Sequence, residues 1–168
     1  MPPDGPGLDK ALAVAYRYLN QRERTEAEVR ARLERADGVE RPDAEQAIAI
    51  LLEQGYLDDA RFARLFAQDK RELDQWGSDR IRQALYARGV TSELVEEAIA
   101  TQPGESEIDR ALALLRRRFP APAGDRRERE RALGMLLRKG YDSDLALDAI
   151  AAHTREAIPA RTGDRDLD

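Results

Sequence analysis

Residues 36–48 read ADGVERPDAEQAI, residues 87–99 read ARGVTSELVEEAI and residues 138–150 read RKGYDSDLALDAI. Gly38, Gly89 and Gly140 fall 51 residues apart, and Ala47-Ile48, Ala98-Ile99 and Ala149-Ile150 keep the same period. A glycine and an Ala-Ile pair recurring twice at one spacing point to three tandem units. Each unit has the same grammar. One helix stops at a glycine, which takes a positive φ without a Cβ penalty. An apolar residue follows (Val39, Val90, Tyr141), and then a helix-starting position at Glu40, Thr91 or Asp142. Thr91 and Asp142 are N-cap types, and Pro42 suits an opening helical turn. The helix that follows buries its Ala-Ile pair.

Working outward, Val29/Leu33 and Ile81/Leu85 are spaced by one helical turn, and Thr25 with Glu28 forms a potential capping box. A further helix lies upstream in each unit. Its apolar face is Leu8, Leu12, Ala15, Leu19 in the first unit and Phe62, Leu65, Phe66, Leu73 in the second. In the third it is Ile108, Leu112, Leu115, Phe119. Helices this short need partners to persist in water. The expectation is an all-α chain of three tandem three-helix repeats over 8–54, 55–102 and 105–155, forming an elongated, curved array. PGE at 103–105 separates the last two repeats, PAPAGD at 120–125 is a loop, and 1–7 and 158–168 read as disordered tails.

Composition agrees. Charged residues make up 36% and aromatics 5%, which suits helices with solvated faces better than a β-sandwich. There is no cysteine, hence no disulfide, thiol nucleophile or zinc–thiolate site. No apolar run is long enough to span a bilayer, and the first ten residues have no signal-peptide pattern, so a cytoplasmic protein is expected. The net charge is −5, yet residues 61–90 carry +3 and residues 108–141 carry +6. Contact with a polyanion therefore stays open despite the acidic total.

Enzyme signatures are missing. No GxxxxGK[ST] or GxGxxG loop is present, and there is a single histidine, His153, expected at the surface or as a helix C-terminal dipole partner. The adjacent carboxylates Asp58-Asp59 read as a helix cap, and nothing near them supplies a fixed spacing of further ligands. Asp142-x-Asp144 lacks the glycine and glutamate of a calcium loop and reads as another cap. No catalytic residue, metal site or cofactor is expected.

Three stretches carry a resemblance: YLNQRERTEAEVRARL at 18–33, GYLDDARFARLF at 55–66 and WGSDRIRQALYARGV at 76–90. They contain an acidic-apolar-basic triplet (Glu28-Val29-Arg30), a Gly-Tyr-Leu-x-Asp junction and Gly-x-x-x-Ile-x-x-x-Leu-x-x-x-Gly over 77–89. In this order they resemble the RecX family of bacterial regulatory proteins across roughly residues 8–155, with the third repeat the looser match. Val29 stands where leucine is commoner. The resemblance implies tandem three-helix units and binding to the RecA recombinase and its DNA filament. It also implies restraint of strand exchange, ATP hydrolysis and co-protease activity in DNA repair and recombination, by a protein expected to be a monomer.

Candidate contacts are the basic side chains, which suit an acidic protein surface or DNA phosphates. They are Arg22, Arg24, Arg30 and Arg32 in the first repeat, and Arg61, Arg64, Arg80, Arg82 and Arg88 in the second. In the third they are Arg116, Arg117, Arg118, Arg126, Arg127, Arg138 and Lys139, the favoured cluster. Any one of them also reads as part of a solvated face, with intrahelical pairs such as Arg126–Glu130. Arg61/Arg64 and Arg127/Arg131 share helix faces. Trp76, Tyr56 and Tyr86 are expected to be packing residues, Trp76 as a wedge between units, since one isolated aromatic makes no stacking platform. Two other functions remain open: a helix-turn-helix-like DNA-binding regulator, and a helical scaffold for another partner. The acidic last helices, SELVEEAI and SDLALDAI, count against the first of these.

Overall fold

The computed structural model describes residues 5–101, 104–122 and 124–156. Among them it contains nine α-helices and no strand. They are α1 Pro6–Leu19, α2 Glu26–Glu34, α3 Arg41–Glu53, α4 Asp59–Glu72, α5 Ser78–Ala87, α6 Ser92–Ala100, α7 Glu107–Arg118, α8 Arg126–Lys139 and α9 Ser143–Glu156. The chain is all-α, as its periodicity predicts. α1 opens at Pro6, inside the stretch expected as a tail, because proline is pre-organised for a first helical turn. The expected tail at 158–168 lies outside the described residues.

The chain divides into two compact units, one of residues 1–72 with 81–102, the other of 73–80 with 103–168. In the first, α1, α2 and α3 close around Leu8, Ala11, Ala15, Val29, Leu33, Ala47, Ile48 and Leu51. α4 packs on α6 in the same unit, but not by its expected face. Leu65 and Leu73 are 46% and 79% exposed, and Leu73 lies beyond the helix end. The buried stripe is Ala63, Ala67 and Arg71. Alanines let the two helices approach closely, and the Arg71 guanidinium donates at 2.9 Å to the Ile99 carbonyl in the last turn of α6, where helical carbonyls lack an internal donor. In the second unit α7 and α8 pack on α9 around Leu112, Leu114, Leu115, Leu136, Tyr141 and Ile150. His153 is buried here, 6% exposed, and of its two expected places it takes the one in the last turn of α9. Burial pushes the Tyr141 hydroxyl up to about 12.

The same local joint is built once in each unit. In the first, the Thr25 hydroxyl donates to the Arg88 carbonyl at 2.6 Å, and the N–H of Glu26, first residue of α2, donates to Asp59 at 2.9 Å. In the second, Gly77 and Asp79 donate their N–H groups to the Lys139 and Gly140 carbonyls at 2.8 and 3.0 Å. There the N–H and hydroxyl of Ser78, first residue of α5, both donate to Glu107 at 2.7 and 2.8 Å. Thus the start of a middle helix meets the glycine end of another, and a first-turn carboxylate accepts its leading N–H. Gly89 and Gly140 have φ of +77° and +93°. A Cβ on Gly89 would collide with Ala27, and one on Gly140 with Arg80, so these positions need glycine twice over.

Asp58 and Asp59 therefore do different work. Asp58 accepts the Arg61 N–H at 2.9 Å and caps its own helix, α4. Asp59 caps α2, and its burial raises its carboxyl above the usual aspartate range. The capping box at Thr25 and Glu28 is complete. Asp142 caps α9 by accepting the N–H groups of Asp144 and Leu145. Thr91 occupies the N-cap of α6, but its hydroxyl makes no capping bond. Tyr56 and Tyr86, expected to be packing residues, are 57% and 43% exposed; Tyr56 meets Tyr16 edge-on at 5.4 Å.

Candidate functional site

The basic side chains sort themselves by what already occupies them. In α2, Arg30 donates to Glu45 at 2.8 Å and to Glu26 at 3.0 Å. These bonds raise its already high pKa, and the guanidinium holds Glu45 below the usual carboxylate range. Arg24 lies over the Tyr18 ring at 3.9 Å, and Arg32 is 6.0 Å from the same ring. Arg61 faces Glu23 at 3.8 Å and donates to the Gly55 carbonyl. Arg82 pairs with Glu96 at 2.6 Å and lowers its pKa, while Arg88 sits 4.9 Å from the Phe66 ring.

The third-repeat cluster is partly spent as well. Arg116 is paired with Glu156 at 2.6 Å, the carboxylate depressed and the guanidinium raised by their mutual hydrogen bonds. Arg117 donates to the Gln75 side chain. Arg80 covers the half-buried Trp76 ring at 4.1 Å and donates to the Arg138 carbonyl. Lys139 donates to the Asp74 carbonyl at 2.8 Å. Arg126 pairs with Glu130 one turn on, as its spacing predicts.

What remains is concentrated. Arg118, Arg127, Arg131 and Arg138 line one open groove of about 670 Å³, with Phe119 and Met135 on its walls and Glu130 as its only carboxylate. Glu130 is engaged by Arg126. None of the four groove guanidinia forms an ion pair among the described residues. Arg22 and Arg64 are also exposed and do not line this groove. The groove follows from helix geometry: Arg127, Arg131 and Arg138 recur at one and nearly two turns along α8, and Arg118 ends α7 beside them. Of the expected contacts, Arg118, Arg127 and Arg138 come together. Arg131, Phe119 and Met135 complete the groove; of these only Arg131 was legible as a partner of Arg127, one turn along the same helix face.

Among the described residues no group of three or more acidic or histidine side chains could hold a metal ion, and no helix is long and apolar enough to cross a membrane. Guanidinia lining an open groove suit the binding of carboxylates or phosphates, the class of contact this surface can make. Comparison with known proteins makes the class specific. Residues 58–99 match the family model of the second three-helix domain of RecX, and residues 105–150 match that of the third. The regulatory protein RecX of Deinococcus radiodurans is 38% identical over 140 residues, covering 83% of this chain and 66% of that protein. That of Trichlorobacter lovleyi is 35% identical over 135 residues, covering 78% and 87%. The crystal structure of RecX from Lactobacillus salivarius superposes with a TM-score of 0.77 over 88% of this chain and 96% of that one, at 20% identity, a likeness of fold. The chain belongs to the RecX family of regulatory proteins. It is a regulator of the kind that modulates the RecA recombinase, and it is not an enzyme.

Proposed function

We propose that this protein binds the RecA filament on DNA and restrains its ATP hydrolysis, strand exchange and co-protease activity. It does so by occupancy, as a cytoplasmic monomer organised in three three-helix repeats. The observation that carries the reading beyond family membership is the groove of unspent guanidinia, Arg118, Arg127, Arg131 and Arg138. Elsewhere the basic side chains are largely neutralised by carboxylates, carbonyls or rings, so the groove is where a carboxylate-bearing protein surface gains charge-assisted hydrogen bonds without breaking existing ones. DNA phosphates near the filament would meet the same groups, as a weaker contact set against a chain of net charge −5.

ATP hydrolysis by RecA on single-stranded DNA, titrated with the protein, tests this. Inhibition is expected below one protein per RecA, and the double reversal Arg127→Glu/Arg131→Glu should move the titration to at least tenfold higher concentration. No inhibition at several-fold excess would refute the reading.

A further inference from the structure

Each three-helix set carries the same pair of surface positions. One follows the first buried apolar residue of the middle helix, the other the first buried residue of the last helix. In the first set these are Arg30 after Val29 and Glu45 after Ala44, joined at 2.8 Å. In the second they are Arg82 after Ile81 and Glu96 after Val95, joined at 2.6 Å. In the third they are Leu133 after Ala132 and Leu147 after Ala146. A solvated ion pair occurs twice at this place; at the third occurrence it is two leucines.

Leu147 is 52% exposed, and Leu137, one turn beyond Leu133, is 45% exposed. Leu133, Leu147 and Ile150 line an open groove of about 420 Å³, on a different face of α8 from the guanidinium groove. Arg126 and Arg129 stand at its rim with Glu130, which Arg126 holds. Apolar side chains in water are an unfavourable place to leave surface, and the other two sets show that the fold accepts a charged pair there. The rim fixes the chemistry of what covers it. A second copy laid on this groove symmetrically would oppose arginine to arginine. A nucleic acid would find no aromatic surface to stack on and would set phosphates against leucines. An apolar segment flanked by carboxylates satisfies both the floor and the rim.

We infer that the Leu133–Leu147 groove docks an apolar, acid-flanked segment on the surface of the RecA filament, a second contact beside the guanidinium groove. The inference rests on RecA being the partner. Binding of the full chain to filaments of purified RecA on single-stranded DNA is the test, with Leu133→Arg/Leu147→Glu as the variant. This variant copies the ion pair of the other two sets and is expected to keep the wild-type melting temperature while losing at least tenfold in affinity. Leu147→Ser alone should lose about fivefold, which guards against a folding defect in the double variant. Arg129→Glu should lose affinity as well, reporting the carboxylates of the docked segment. Binding of the double variant within twofold of wild type overturns the inference while leaving RecA as partner. A wild-type dimer in sedimentation that the variant abolishes makes a second copy the occupant and also overturns it. A wild-type chain that fails to bind the filament removes both this inference and the proposed function.

Discussion

Arg30–Glu45 and Leu133–Leu147 occupy the same place on two copies of one helical plan, and they teach different things about it. The plan itself is held by what lies one residue earlier: Val29 and Ala44 in one, Ala132 and Ala146 in the other, all buried. The surface position is free to carry a charged pair or an apolar one. The first set spends its guanidinium internally and presents a neutralised face. The third leaves leucines uncovered on one face of α8 and four unpaired guanidinia on another. Equal scaffolding with unequal surfaces is how a repeat protein assigns support to some units and contact to others.

The largest expected effect concerns what the sets share. Gly140→Val places a β-branched residue at φ +93° and drives its Cβ into the Arg80 backbone. It should cost about 3 kcal/mol in thermal or urea unfolding. Gly55→Ala, at φ +75° with nothing within 4 Å of its Cβ, bears only the backbone strain and should cost about 1 kcal/mol. Equal costs would mean that the close approach at Gly140 does not matter to the joint.

Asp59→Ala comes next. It strands the Glu26 N–H at a half-buried site and should cost about 1–2 kcal/mol. Asp59→Asn keeps an acceptor and should lose much less. The sign of its pH dependence is fixed by the raised carboxyl. A folded-state pKa above the unfolded one favours folding in acid, and that contribution is lost as pH rises through the folded value. The stability of Asp59→Asn relative to wild type should therefore rise from acid toward neutral pH in urea denaturation curves. A relative stability that falls would place the carboxyl in a favourable charged environment instead.

The smallest effect sharpens the opening comparison. Replacing the first set's pair by Arg30→Leu/Glu45→Leu should change stability by less than about 1 kcal/mol, because partly exposed ion pairs contribute little. A loss above about 2 kcal/mol in chemical denaturation would show that the pair is structural and that the third set is exceptional in doing without it.

The helices were legible because their signals are local: glycines that end them, caps that start them, and a buried Ala-Ile pair at a fixed period. Asp58 and Asp142 behave as their sequence neighbourhoods predict, and so does the Arg126–Glu130 pair. The misses share a cause in tertiary contact. Leu65 and Leu73 outrank Ala63 and Ala67 in hydrophobicity, yet close helix packing selects the small residues. Asp59 caps a helix 33 residues away. For the candidate site, charge counting pointed to the stretch that lines the groove but not to its free members. Arg116 and Arg117 are consumed by Glu156 and Gln75, partners that only the fold supplies, while Arg131 joins the groove through helix geometry.

The central claim is that contact with RecA is concentrated on the third set and is not spread over every exposed arginine. The most direct measurement compares the binding of two double variants to RecA filaments at fixed salt. Arg127→Glu/Arg131→Glu reverses two groove charges; Arg22→Glu/Arg64→Glu reverses two isolated ones and changes net charge equally. The account predicts at least a tenfold loss for the first and less than a twofold loss for the second. Equal losses would contradict it, and would mean that overall charge, not the groove, governs the encounter.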